Sequence, residues 1–204
     1  MHREQIVYAG NEANASKALI MVHGRGGSAE DILSLSDHLL IKDYLLLAPQ
    51  ATNYSWYPHS FLAPPARNEP WLSSALQLIS TTVQAIGQRG IAKEHIFFLG
   101  FSQGACLIAE FTTRYATRYG GIAILTGGLI GDAIITENYR GDFAGTPVFI
   151  GTSDPDSHVP VERVHATSAI MKNMHADVTE KVYKGMGHTI NGDEISQVNA
   201  ILFK

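Results

Sequence analysis

The sequence predicts an α/β fold: a mostly parallel central sheet with helices on both faces. Short apolar runs alternate with amphipathic stretches along the whole chain, the pattern of strands joined by covering helices. The 204 residues, 45% of them hydrophobic, suit one domain (1–204) with a sizeable core. A single cysteine excludes an intrachain disulfide, so packing alone must hold the fold together.

In chain order, a weak strand opens at residues 5–9 and a fully apolar one follows at 18–22. Ser28 stands where a helix would start, with Glu30 and Asp31 favouring its positive end, and that helix is expected to run through Leu40. Residues 44–47 form the next strand. Leu72, Ala75, Leu76, Ile79, Val83 and Ile86 then recur at helical spacing. Strands at 96–99 and 121–125 flank a helix over 105–115. A strand at 148–150 precedes a helical stripe of Val161, Val164, Ser168 and Met171. A strand at 178–183 and a closing helix bearing Ile195, Val198 and Leu202 complete the order. Residues 51–70 stand apart, without periodicity but with Tyr54, Trp56, Tyr57, Phe61 and four prolines. Long loops of this kind in compact domains are usually functional, and the aromatic content argues against disorder. No repeat, low-complexity tract or linker interrupts the chain.

The net charge of −4 and the scattered basic residues give no reason to expect nucleic acid or an anionic membrane as partner. No apolar run approaches a membrane span, so no stable membrane insertion is expected. The opening residues lack the apolar core of a signal peptide, which predicts a cytoplasmic protein. Composition leaves a homodimer open.

The chemistry concentrates at Gly100-Phe101-Ser102-Gln103-Gly104. Roughly one chain in fifteen of this length would carry Gly-x-Ser-x-Gly by chance, so the surroundings decide its weight. Here it joins an apolar strand to a helix, the setting of the nucleophile elbow of α/β-hydrolases. A serine nucleophile needs a base, a group that orients the base, and donors for the oxyanion. In these folds the acid and then the histidine follow the serine. Of nine histidines, five precede Ser102, His165 and His175 fall within a predicted helix, and His158 precedes the last strand. His188 remains, in a glycine-flanked loop directly after that strand. Two aspartates compete for the acid. Asp154 fits the spacing counted from the strand; Asp156 fits Asp-x-x-Val-Pro counted back from the helix and is preferred, because the Val-Pro step sets where the helix begins. Turn-forming aspartates outnumber metal ligands in such loops, so Asp154, Asp156 and His158 are not expected to hold a metal, and no cofactor is expected.

The backbone N–H groups of Arg25, in His23-Gly24-Arg25-Gly26-Gly27, and of Gln103 are the expected oxyanion donors. A phosphate-binding loop is the competing assignment for the glycines, but the P-loop lysine is missing. Trp56, Tyr57 and Phe61 are candidates to line the substrate pocket. Cys106 reads as a small buried hydrophobe.

Taken together, His23-Gly24-x-Gly26-Gly27, Ala48-Pro49, Ser55-Trp56-Tyr57, Gly100-Phe101-Ser102-Gln103-Gly104, Asp156-x-x-Val159-Pro160 and Gly187-His188 resemble the phospholipase/carboxylesterase, or acyl-protein thioesterase-like, family. The resemblance spans nearly the whole chain. It implies an α/β-hydrolase fold with a minimal lid, a triad of Ser102, Asp156 and His188, and metal-independent hydrolysis of carboxylic esters or thioesters. Small to medium esters are favoured over lysophospholipids, since the long loop is rich in proline. Dienelactone-hydrolase-like or peptidase activity, or a ligand-binding homologue without turnover, are the alternatives. A serine nucleophile in place of cysteine counts against the first of these.

Overall fold

The computed structural model describes residues 1–203. Seven strands form one sheet: β1 (Ile6–Gly10), β2 (Lys17–Val22), β3 (Tyr44–Pro49), β4 (Ile96–Phe101), β5 (Gly121–Leu125), β6 (Pro147–Asp154) and β7 (Asp177–Lys184). Their spatial order is β1-β3-β2-β4-β5-β6-β7; β1 pairs antiparallel with β3 and every other pair is parallel. Parallel neighbours need crossovers, and helices supply most of them. These are α1 (Ala29–Leu33), α2 (Pro65–Asn68), α3 (Trp71–Gln88), α4 (Gln103–Arg114), α5 (Val161–Asn173) and α6 (Gly192–Leu202).

Side-chain alternation along the strands divides the core in two. Ile20, Phe98, Ile122 and Ile150 pack with α3, α4 and α5 on one face. Leu19, Met21, Leu99, Ala123 and Phe149 pack on the other, against Ala29 and Ile32 of α1 and Val198 and Leu202 of α6. Central β4 is apolar on both faces because both are covered, which is why its sequence runs Ile-Phe-Phe-Leu without alternating. Each such side chain contributes roughly 1.5–3 kcal/mol through burial.

Three expectations need correction. The first helix does not continue to Leu40. It stops at Leu33 and passes into a 3-10 turn over Ser34–His38. Ser34 Oγ donates back to the Asp31 carbonyl at 2.7 Å, and such local bonds compete with helix propagation. The 51–70 loop is also not the only long one. Residues 126–146, between β5 and β6, hold only a 3-10 turn at Thr136–Asn138. Its apolar residues, Leu129 and Ile130 among them, read as ordinary core while having no helical period. His175 lies just past α5 rather than within it.

The closing helix carries a pH-sensitive cap. Asn191 accepts the Glu194 N–H at 2.8 Å, and Glu194 Oε2 accepts the Asn191 N–H at 3.0 Å. Glu194 is fully buried, and its Oε1 has no partner among the described residues. Burial lifts the carboxyl from 4.5 to about 7, the Asn191 amide pulling down and neighbouring Asp193 adding to the rise. The native state therefore holds this proton more tightly than the unfolded chain, and stability declines as pH rises from about 4.5 through about 7. Glu194→Gln keeps the cap without the ionisation. Its melting temperature is expected to exceed that of the wild type above pH 7, by the equivalent of roughly 1–3 kcal/mol, with the gap closing near pH 4.5. Thermal melts across that range check this.

Candidate active site

Ser102 sits at the β4–α4 turn with φ 54° and ψ −118°, a conformation that L-residues adopt at a cost of about 1–3 kcal/mol. The turn holds because its backbone is overdetermined. The Ser102 N–H donates to the Leu125 carbonyl at 3.0 Å, and α4 then packs directly on β2. At Gly104 a Cβ would run into the Val22 carbonyl oxygen, so only glycine permits that approach.

The side chain thus lifted above the sheet meets His188. Its Nε2 lies 2.7 Å from Ser102 Oγ, and its Nδ1 lies 2.9 Å from Asp156 Oδ2. The hydrogen-bonded chain runs to Asp156. Asp154, the last residue of β6, is exposed, and its carbonyl accepts the Gly185 N–H at 3.0 Å. The Asp156 side chain is fully covered while that of His188 is one-fifth exposed. Burial pushes the Asp156 carboxyl up, but the N–H groups of His158 and Val159, at 2.7 and 2.8 Å, and the His188 imidazole outweigh it. The net result holds Asp156 below the ordinary carboxylate range. With Nδ1–H donated to this carboxylate, Nε2 is left to accept the serine hydroxyl proton.

The Gly24–Gly27 turn abuts the serine: a Cβ on Gly24 would lie 3.4 Å from Ser102 Cβ. The turn is closed by Gly27 N–H donating to the Gly24 carbonyl at 3.2 Å, and Gly26 takes the positive φ of 81° that its third position demands. The Gly26 N–H ties it to the Tyr54 carbonyl at 2.7 Å. Neither the Arg25 nor the Gln103 backbone N–H finds a protein acceptor among the described residues.

A cleft of about 560 Å³ opens beside these groups. Tyr57 and Phe61 line it; Trp56 does not. Trp56 is fully buried, donates Nε1–H to the His23 carbonyl at 2.8 Å and packs its ring on His2 and His23. The large indole that suggested a pocket wall instead anchors the loop from beneath. Cys106 also reaches the cleft, and burial raises its thiol to about 12, so it is unreactive at neutral pH. Among the described residues, no group of three or more His, Cys, Asp or Glu is arranged to hold a metal, and no helix is long and apolar enough to cross a membrane.

Three contributions were invisible in the linear pattern. The Gln103 side chain accepts the Trp56 N–H at 2.9 Å and donates to the Tyr57 carbonyl at 2.8 Å, clamping the 51–70 loop to the elbow. His158, set aside by chain order, lines the cleft with its ring 4.8 Å from that of His188, while Phe101 packs at 5.4 Å. Ser153 Oγ accepts the Gly187 N–H at 2.9 Å and donates to the Pro155 carbonyl at 3.1 Å, joining the loops that carry His188 and Asp156. Of these, only the glutamine stood inside a motif. Ser153→Ala removes both bonds, each worth about 1 kcal/mol. A roughly tenfold fall in kcat on a p-nitrophenyl ester, with KM little changed, is expected from steady-state kinetics.

A strained serine at a strand-to-helix turn, on a mostly parallel sheet covered by helices, defines an α/β-hydrolase. Comparison with known proteins narrows the class: the Phospholipase/Carboxylesterase family model matches residues 3–204, and the chain belongs to that family. The crystal structure of a phospholipase/carboxylesterase from Dyadobacter fermentans is 52% identical, with a TM-score of 0.98, covering 100% of this chain and 98% of that one. Acyl-protein thioesterase 1 of Saccharomyces cerevisiae is 31% identical over 64% of this chain but only 59% of its own length. Acyl-protein thioesterase 1 of Kluyveromyces lactis is 28% identical over 97% of this chain and 96% of its own.

Proposed function

We propose that this protein is a serine hydrolase that cleaves small to medium carboxylic esters or thioesters through an acyl-enzyme. The observation that carries the proposal is the unbroken chain from Ser102 Oγ through His188 to Asp156, at 2.7 and 2.9 Å, at the edge of a cleft. Ser102 would attack the substrate carbonyl as His188 Nε2 takes its proton. Asp156 would hold the imidazole in the accepting orientation and stabilise the imidazolium that forms. The Arg25 and Gln103 amides, free of protein acceptors, would bind the oxyanion; losing one such donor typically costs about 2.7–4 kcal/mol. His188 would then protonate the leaving group, and water would repeat the sequence on the acyl-enzyme.

The cleft size and its polar rim favour short acyl groups over long lipid chains. The thioesterase names of the relatives make thioesters the natural second substrate class. A chain-length series of p-nitrophenyl esters, run beside acyl-CoA, lysophospholipid, lactone and aminoacyl amide substrates, tests the proposal. Highest kcat/KM on short esters or thioesters, together with stoichiometric labelling by a fluorophosphonate probe, is the expected result. No turnover and no labelling would defeat it in favour of a ligand-binding role.

A further inference from the structure

The chain carries 19 acidic and 15 basic residues, yet no Asp or Glu lines the cleft. Asp156 stands behind His188 with its side chain fully covered. Around the cleft, the polar side chains are instead Arg25, His59, Ser60 and His158, besides the reacting groups, Gln103, Tyr57 and Cys106. Arg25 is the one permanently charged residue in this lining, and it makes no ion pair among the described residues.

Its guanidinium is nevertheless fixed in place. Nη1 donates to Ser55 Oγ at 2.9 Å and to the Pro58 carbonyl at 3.1 Å, and Nη2 donates to the His59 carbonyl at 2.8 Å. All three acceptors are neutral, so the charge is held without being compensated. The Nε–H and the second Nη2 hydrogen have no protein acceptor among the described residues. A guanidinium presents its Nε–H and the neighbouring Nη2 hydrogen along one edge, pointing the same way. That edge matches the two oxygens of a carboxylate in a bidentate pair. The ordering of the side chain is already complete, so little conformational freedom remains to be lost when an anion binds.

We propose that the free edge of Arg25 binds a carboxylate on the substrate, so that the preferred esters carry a carboxylate on the acyl or alcohol portion, a short spacer from the reacting carbonyl. The proposal rests on the esterase function above. The same residue would then present its backbone amide to the oxyanion and its side chain to the carboxylate, which fixes the orientation of the ester between them.

The test compares kcat/KM within matched pairs. Mono-p-nitrophenyl glutarate is set against the p-nitrophenyl ester of glutaramic acid for the acyl side. The acetate ester of 3-hydroxybenzoate is set against that of 3-hydroxybenzamide for the alcohol side. The wild type is expected to favour the carboxylate member of at least one pair about tenfold or more, less so in 0.5 M salt. Arg25→Met should bring that ratio near one, and Arg25→Lys, which keeps the charge without the fork, should fall between. Each ratio is internal to a variant, so a general loss of rate from a disturbed turn cancels. Competitive inhibition of the wild type by glutarate but not by its uncharged diamide supplies a measurement that needs no variant. Ratios near one in both pairs, or a preference undiminished in Arg25→Met, would overturn the proposal and leave the esterase function standing. Failure to turn over any of the four esters, with no fluorophosphonate labelling, would remove the esterase function itself.

Discussion

Ser102→Ala is expected to reduce kcat on a p-nitrophenyl ester by about 10⁵–10⁶-fold and to abolish fluorophosphonate labelling. The size follows from the role proposed for the hydroxyl. Without it no acyl-enzyme forms, and the remaining cleft offers only oxyanion donors and orientation to direct attack by water. The substitution is clean. Ser102 makes no side-chain cap at α4, and alanine meets the same backbone strain at φ 54°. Melting temperature should therefore move little while activity collapses. Residual turnover within a hundredfold of the wild type would mean that Ser102 is not the nucleophile.

Asp156→Asn should be the next most severe change, lowering kcat by about 10³–10⁴-fold. An asparagine amide facing Nδ1 would donate where the carboxylate accepts. That shifts the imidazole proton to Nε2, the atom needed to take the Ser102 proton. The loop itself should survive, since the His158 and Val159 amides can still bond the asparagine oxygen. Asp154→Asn, at an exposed position, should stay within about twofold, the ordinary result for a surface substitution. The reverse pattern would transfer the acid role to Asp154. Because Asp156 is held below the ordinary carboxylate range, its ionised form favours the native state. That contribution is present above the ordinary value of 3.8 and is lost only as pH falls through the lower native one. Its titration should therefore leave no inflection in the rate near neutral pH.

The central strands were legible because each is a short apolar run buried on both faces, as in Phe97-Phe98-Leu99. The opening strand was faint for the complementary reason. β1 is an edge strand, half-buried and antiparallel, so its sequence bears little of the core's signature. The end of α1 is not legible after Ser28, because charge at the helix start says nothing about where serine side chains recapture the backbone. The 126–146 connection leaves no mark in the sequence because its order comes from distant groups. Arg163, for example, donates to the carbonyls of Leu129 and Gly131 from α5.

Within the proposed site, Ser102, His188 and the Arg25 and Gln103 amides are candidates on local chemistry alone: a strand-to-helix turn, a glycine-flanked loop after a strand, and amides at turns. The sequence by itself determined the alternation of strands and helices and the strand-to-helix turn at Ser102, and it offered Asp154 and Asp156 as the candidate acids. Tertiary structure alone decided which aspartate meets His188, that Trp56 supports the loop from below while Tyr57 and Phe61 face the cleft, and that Arg25 is fastened by neutral oxygens. The physical reason is the same in each case. A strand or a turn is specified by residues a few positions apart, whereas a hydrogen bond between residues 32 or 86 positions apart exists only once the sheet has brought the loop ends together.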